Sequence, residues 1–265
     1  CFAQGSGGFA CGKPSGAQSH VGVCGGVCSK NPSRWVDMPG LFSLTENYLR
    51  EGPTPYKVGY PRIDELVGGF SLQTMAVTIA YPGVAKTTKM VHSFRFATER
   101  LFALDEGCGF FTPEEALPMI GAYFSMQLGK ATLSDLYHQA SNGGVLLNER
   151  QWFEKHTNAF VINSRGMTVK EISKTINEIE QRRGIKMRMI VIDNATFIRP
   201  NPNEIVRGEN YAERNALDLD NLTQEHQLFA MGCVHLRKPK PGETLLPRDF
   251  TDKRPSVWDA MGASF

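Results

Sequence analysis

The segment Ala80-Tyr81-Pro82-Gly83-Val84-Ala85-Lys86-Thr87-Thr88 carries the residue types of a phosphate-binding loop. In the pattern G-x-x-x-x-G-K-[ST], backbone N–H groups surround the phosphates, the lysine reaches their outer oxygens and the hydroxyl holds Mg²⁺. Ala80 and Ala85 stand at the two glycine positions, whereas Lys86 and Thr87 keep their register. Thr88 to Glu99 contains neither Gly nor Pro. A helix can therefore start here and aim its positive end at an anion. If Ala85 must take φ > 0, the cost is roughly 1 kcal/mol for a non-glycine residue. Ala80, Pro82, Gly83, Val84, Ala85, Lys86, Thr87 and Thr88 are the candidate nucleotide-binding residues, with Thr87 also a candidate Mg²⁺ ligand.

Three further positions supply what a nucleotide hydrolase would need. Asp193 follows the apolar run Ile190-Val191-Ile192, and a carboxylate at a strand end can hold the water shell of Mg²⁺. Capping the next turn is its alternative role. Gln127 follows Ile120-Gly121-Ala122-Tyr123-Phe124-Ser125-Met126, read as a second buried strand, where a water-orienting group would stand. An amide positions water but cannot accept its proton, a deficit of about 10²–10⁴ in rate. Glu106, Glu114 and Glu115 fall in Asp105 to Pro118, read as an insertion, and reach the site only by folding back. His235 ends the apolar run Leu228 to His235; it is either a γ-phosphate contact or a structural histidine.

Beyond it, Arg237 to Arg254 holds six basic and three acidic residues among prolines and glycines. That composition suits a mobile loop touching phosphates, with Arg237, Lys238, Lys240, Lys253 and Arg254 as candidate contacts. A solvated surface loop is the competing reading. At the other end, Cys11, His20, Cys24 and Cys28 have the donor types of a structural zinc site. Their spacing departs from C-x₂-C, since three residues separate Cys24 from Cys28. A flexible Gly-rich segment with incidental cysteines is the favoured reading over zinc. Cys108 and Cys233 are isolated in apolar sequence and read as reduced core thiols.

The elements that must position these groups alternate. Residues 1–40 form a Gly- and Cys-rich appendage, and 41–55 a linker helix that stops at Gly52-Pro53. A domain over 56–265 follows, with its first strand at 74–80 and a helix from Lys86 to about Leu101. Ala159 to Ile162 is a weaker strand, and Thr168-Val169-Lys170-Glu171 is a capping box. Val169, Ile172, Ile176 and Ile179 recur at helical spacing up to Gly184. Met187 to Asp193 is the clearest buried strand. Alternating strands and helices predict an α/β fold, a mostly parallel sheet with helices on both faces.

With 265 residues, 41% hydrophobic, 21% charged and a net charge of +2, the chain is globular, and no net basicity marks it as nucleic-acid-binding. No apolar run approaches 18 residues, which argues against a membrane helix.

Val58-Gly59-Tyr60-Pro61-Arg62-Ile63-Asp64-Glu65-Leu66, the phosphate loop, Tyr123 to Gln127, Arg165 to Ile172, His235-Leu236-Arg237-Lys238-Pro239 and Asp252 to Asp259 occur in an order that resembles hexameric replicative DNA helicases. These are the DnaB, phage primase-helicase and Twinkle group, and the likeness is greatest to the phage branch. The resemblance implies a RecA-like fold, a six-subunit ring with ATP or another NTP and Mg²⁺ between neighbours, and single-stranded DNA in the channel. It implies Lys86 and Thr87 on phosphate and Mg²⁺, Asp193 as second metal partner, His235 as γ-phosphate sensor, and Arg237, Lys238 and Lys240 opening a DNA loop. A primase domain or protein would be a partner. The setting would be cytoplasm, nucleoid or phage-infected host, ahead of a mitochondrial matrix. Ala85, Gln127 in place of the family's glutamate, and Met261 in place of a frequent arginine depart from the pattern. The family's arginine finger would lie beyond Phe265. A nucleotide-binding but catalytically weak subunit that assembles or holds DNA is the alternative function.

Overall fold

The computed structural model describes residues 37–51, 56–80, 83, 85–142, 147–201 and 211–235. The chain divides into two compact units, Cys1–Gly52 and Pro53–Phe265. In the first, helix α1 (Met38–Glu51) covers residues 41–51 of the predicted linker and starts three residues earlier; residues 52–55 lie outside the described residues. Asp37 explains the early start: its carboxylate accepts the Gly40 N–H at 2.9 Å, the bond by which a helix cap satisfies a free donor.

The second unit runs α2 (Pro61–Val67), β1 (Thr74–Ala80), α3 (Lys86–Phe102), β2 (Glu106–Thr112), α4 (Leu117–Gly129), α5 (Leu133–Ser141) and α6 (Leu147–Lys155). It continues with β3 (Ala159–Asn163), α7 (Val169–Arg183), β4 (Lys186–Ile192), a 3₁₀ turn (Ala195–Phe197), α8 (Tyr211–His226) and β5 (Phe229–His235). The five strands form one sheet in the order β1-β5-β4-β2-β3, and every pairing is parallel. Side chains of a strand alternate between faces. On β4, Met189 and Val191 pack with Met90, Phe94 and Phe124 of α3 and α4. Ile190 and Ile192 pack with Ile172 and Ile176 of α7 and Leu219 and Leu222 of α8. Each such burial contributes about 1.5–3 kcal/mol, so both faces are covered, as the alternation predicts.

The capping box at Thr168 and Glu171 forms as predicted, and Gly184 closes α7 in the left-handed region at φ 65°. Two expectations are corrected. Ile120 to Met126 is the middle of helix α4, not a strand. Pro118 sits in its first turn, where a missing N–H costs nothing, and 13 residues exceed an ordinary strand. The supposed insertion contains the true second strand, β2. Its glycines suggested a loop but answer to packing: a Cβ on Gly107 would lie 2.8 Å from both Ile185 Cδ1 and Met187 Sδ.

Candidate functional site

Parallel strands bring all their carboxyl ends to one edge, where helix N-termini also gather. β1 ends at Ala80 and hands over to the phosphate loop, in which Gly83 has φ 85°. Ala85 takes φ 58° and ψ 35°, the left-handed conformation that the motif demands and that a methyl group disfavours. Lys86 then opens α3 and is buried, with Thr87 half-buried behind it and Thr88 exposed. His235 ends β5 in register with Ala80, so its backbone stands at the same edge. Pro82 and Val84 lie outside the described residues.

Asp193 emerges directly from β4. It is only 3% exposed, its N–H donates to the Phe111 carbonyl at 3.0 Å, and its peptide to Asn194 is cis. The Cys233 thiol donates to Oδ1 at 2.7 Å, while Oδ2 is buried without a hydrogen-bond partner. The Cys233 thiol is pushed far up, first by burial and then by the charge and hydrogen bond of Asp193. Lys86 pulls it down and Glu114 pushes it up. Lys86, Asp193 and Glu114 are thus all within electrostatic reach of one sulfur.

Glu114 and Glu115 reach this edge because β2 ends at Thr112, only two residues earlier. No folding back is needed, contrary to the expectation that placed them in a remote insertion. The Thr112 hydroxyl donates to the Glu115 carbonyl and accepts the Glu115 N–H, both at 3.1 Å, which fixes the turn. Arg165 holds the same backbone from the β3 side, donating to the carbonyls of Pro113 at 3.3 Å and Glu114 at 3.1 Å. The Glu114 side chain stays exposed beside an open cleft of 340 Å³ bordered by Arg165, Phe197 and Arg199. Burial, then the charges of Glu115 and Asp193, raise the Tyr123 hydroxyl above its ordinary range, so Glu115 also faces this edge.

Gln127 stands elsewhere than expected. It lies ten residues into α4, and its amide donates to the Thr88 carbonyl in the first turn of α3 at 2.8 Å, with Oε1 buried and unpartnered. The second-strand position assigned to it from sequence is occupied by the β2 exit.

No family model and no curated protein sequence matches the chain. Among solved structures it is similar to the ATPase domain of G40P, with a TM-score of 0.69 at 12% identity over 84% of this chain and 79% of that one. The chain has the RecA-like fold of a DnaB-type helicase ATPase domain. A DnaB-like replicative helicase, described with its interactions with primase, is also similar, with a TM-score of 0.65 at 11% identity. That match covers 80% of this chain and 54% of the other, so the chain spans about half of that helicase.

The DnaB-type fold gives the edge residues a frame in which Mg²⁺ can be judged. An unpartnered buried oxygen on Asp193 and a hydroxyl at Thr87 suit an ion that keeps several waters and takes its remaining ligands from phosphates. Among the described residues, no group of three or more His, Cys, Asp or Glu is gathered to hold a metal without such help. The candidate zinc ligands Cys11, His20, Cys24 and Cys28 lie outside the described residues, as do Arg237, Lys238, Lys240, Lys253 and Arg254. Among the described residues no helix is long and apolar enough to cross a membrane. Sequence reading named Glu114 but set it in an insertion away from the edge, because Phe110-Phe111-Thr112 ahead of it is a short β-prone run that its glycines disguised.

Proposed function

We propose that this chain is the ATP-dependent motor domain of a ring-forming replicative DNA helicase. One observation carries the reading: a buried lysine at a helix start, a buried aspartate with an unpartnered oxygen, and an exposed glutamate converge on one strand edge. Lys86 would neutralise the outer phosphate oxygens, and Thr87 and Asp193 would hold Mg²⁺, which screens the charge that develops on the transferred phosphoryl group. Glu114 takes the water-orienting role first given to Gln127, because a carboxylate can accept the proton that an amide cannot.

The similarity to DnaB-type domains supports a six-subunit ring, single-stranded DNA as the substrate track, a primase as partner and a cytoplasmic, nucleoid or phage-infected setting. His235, at the end of β5, would sense the γ-phosphate, and Arg237, Lys238 and Lys240 would begin a DNA-contacting loop, with Lys253 and Arg254 further along. A second reading rests on Ala85, whose left-handed backbone carries a strain that glycine would lack. A subunit with such a loop binds nucleotide but turns it over weakly. A Mg-ATP titration of the chain and of Lys86→Ala tests both readings. Binding lost in the variant establishes the phosphate site, and no binding in either removes both. ATP turnover above that of Glu114→Gln then selects the motor.

A further inference from the structure

Asp193 and Cys233 meet by strand register. On β4 and β5 the residues facing α3 alternate as Met189, Val191 and Phe229, Met231, Cys233. Ile192 pairs with Gly232, so the next residues along, Asp193 and Cys233, stand side by side on the face where α3 begins. Both are buried, and Sγ lies 2.7 Å from Oδ1 while Oδ2 has no partner.

The choice of partner has consequences. Burying an ionised carboxylate is costly unless it is hydrogen-bonded. The terminal torsion of Asp is broad and roughly two-fold, so one bond to one oxygen decides where the other points. An apolar residue at 233 would leave both oxygens bare. A lysine or arginine would neutralise the carboxylate and compete with a cation. A thiol is a neutral, weak donor that packs like a small hydrophobe. Cys108 offers the contrast, because it lies in the same core cluster but bonds the Thr98 hydroxyl at 3.2 Å and touches no carboxylate.

We infer that Cys233 is a positioning residue, holding Oδ1 of Asp193 by its S–H so that Oδ2 is left for the hydration shell of a nucleotide-bound Mg²⁺. This rests on the Mg-nucleotide reading above. The test measures ATP affinity with Mg²⁺ and with EDTA in the chain, in Cys233→Ala and in Cys233→Ser, each checked for native folding by near-ultraviolet circular dichroism. Cys233→Ala is expected to lose about tenfold of the Mg²⁺-dependent gain in affinity with the EDTA value unchanged, and Cys233→Ser to restore it through its hydroxyl. An alanine variant with the full Mg²⁺ gain overturns the inference, as does a serine variant no better than alanine. Infrared spectroscopy gives a readout independent of nucleotide. The S–H stretch that vanishes in Cys233→Ala should move up in frequency in Asp193→Asn, and an unmoved band overturns the inference whatever the titration gives. A parent chain that binds no Mg-ATP defeats the nucleotide reading and the metal half of this inference, while the infrared shift still judges the thiol bond.

Discussion

Two neighbouring strand exits, those of β4 and β2, hold their carboxylates in opposite ways. At the β4 exit, Asp193 is buried, its amide is tied to β2 and one of its oxygens is bonded to β5. At the β2 exit, Glu114 has its backbone tied down by Arg165 but its side chain left exposed. A fixed, dehydrated carboxylate suits a metal shell whose geometry must not change. A carboxylate free to rotate suits a water whose position has to adjust to a bound ligand. If the two acids have the roles proposed above, burial more than residue type divides the work between them.

The largest expected effects separate these two roles. Glu114→Gln should lower ATP turnover by about 10²–10⁴ while leaving Mg-ATP affinity unchanged. Asp193→Asn should lower turnover and also remove most of the effect of Mg²⁺ on affinity. Steady-state kinetics with a binding titration reads both, and the same split in both variants would collapse the distinction. Gln127→Ala sharpens it from the side. Turnover should stay within about threefold of the parent, while thermal unfolding shows a loss of about 1 kcal/mol, one interhelical hydrogen bond. A loss of turnover as large as that of Glu114→Gln would return the water to Gln127.

Smaller effects are expected where neither carboxylate is involved. Ala85→Gly removes left-handed strain but loosens the unfolded chain, leaving a net gain of about 0.5 kcal/mol in thermal unfolding. On the far side of the sheet, His226 is buried with Nε2 2.8 Å from the Ser173 hydroxyl, and burial lowers its pKa below the ordinary 6.5 against the opposing pull of Glu225 and Glu180. The unfolded chain therefore takes up this proton first as pH falls. Its contribution to stability is present above about pH 6.5 and declines as pH drops through the folded-state value. Melting temperatures across about pH 7.5 to 5.5 should fall, and His226→Gln should flatten that slope.

Much of this was legible in the sequence for local reasons. Lys86 and Thr87, the Thr168 capping box and the run ending at Asp193 each announce themselves within a few residues, and each stands where it was predicted. β2 and α4 were misread because their signals are not local. Gly107 and Gly109 lie under the side chains of Ile185 and Met187, residues some eighty positions away that would crowd a Cβ there, and nothing near them in sequence says so. Ile120 to Met126 is apolar on several sides because α4 packs between α3 and α6, which hides the helical period. Once those two elements exchanged identities, Glu114 was set in an insertion and Gln127 at a strand end, whereas Glu114 follows β2 and Gln127 lies in α4. The bond between Asp193 and Cys233 was invisible for the same reason, since only the register of β4 against β5 unites them.

Gln127 acquires another meaning from where it does sit. The chain leaves β2, passes Glu114 and enters α4 within five residues, and ten residues later Gln127 fastens that helix to the first turn of α3. The β2 exit and the lysine-bearing helix are thus bolted to one chassis. This restrains relative travel between Glu114 and Lys86, so in the motor proposed above a long power stroke would have to be delivered by other parts of the molecule.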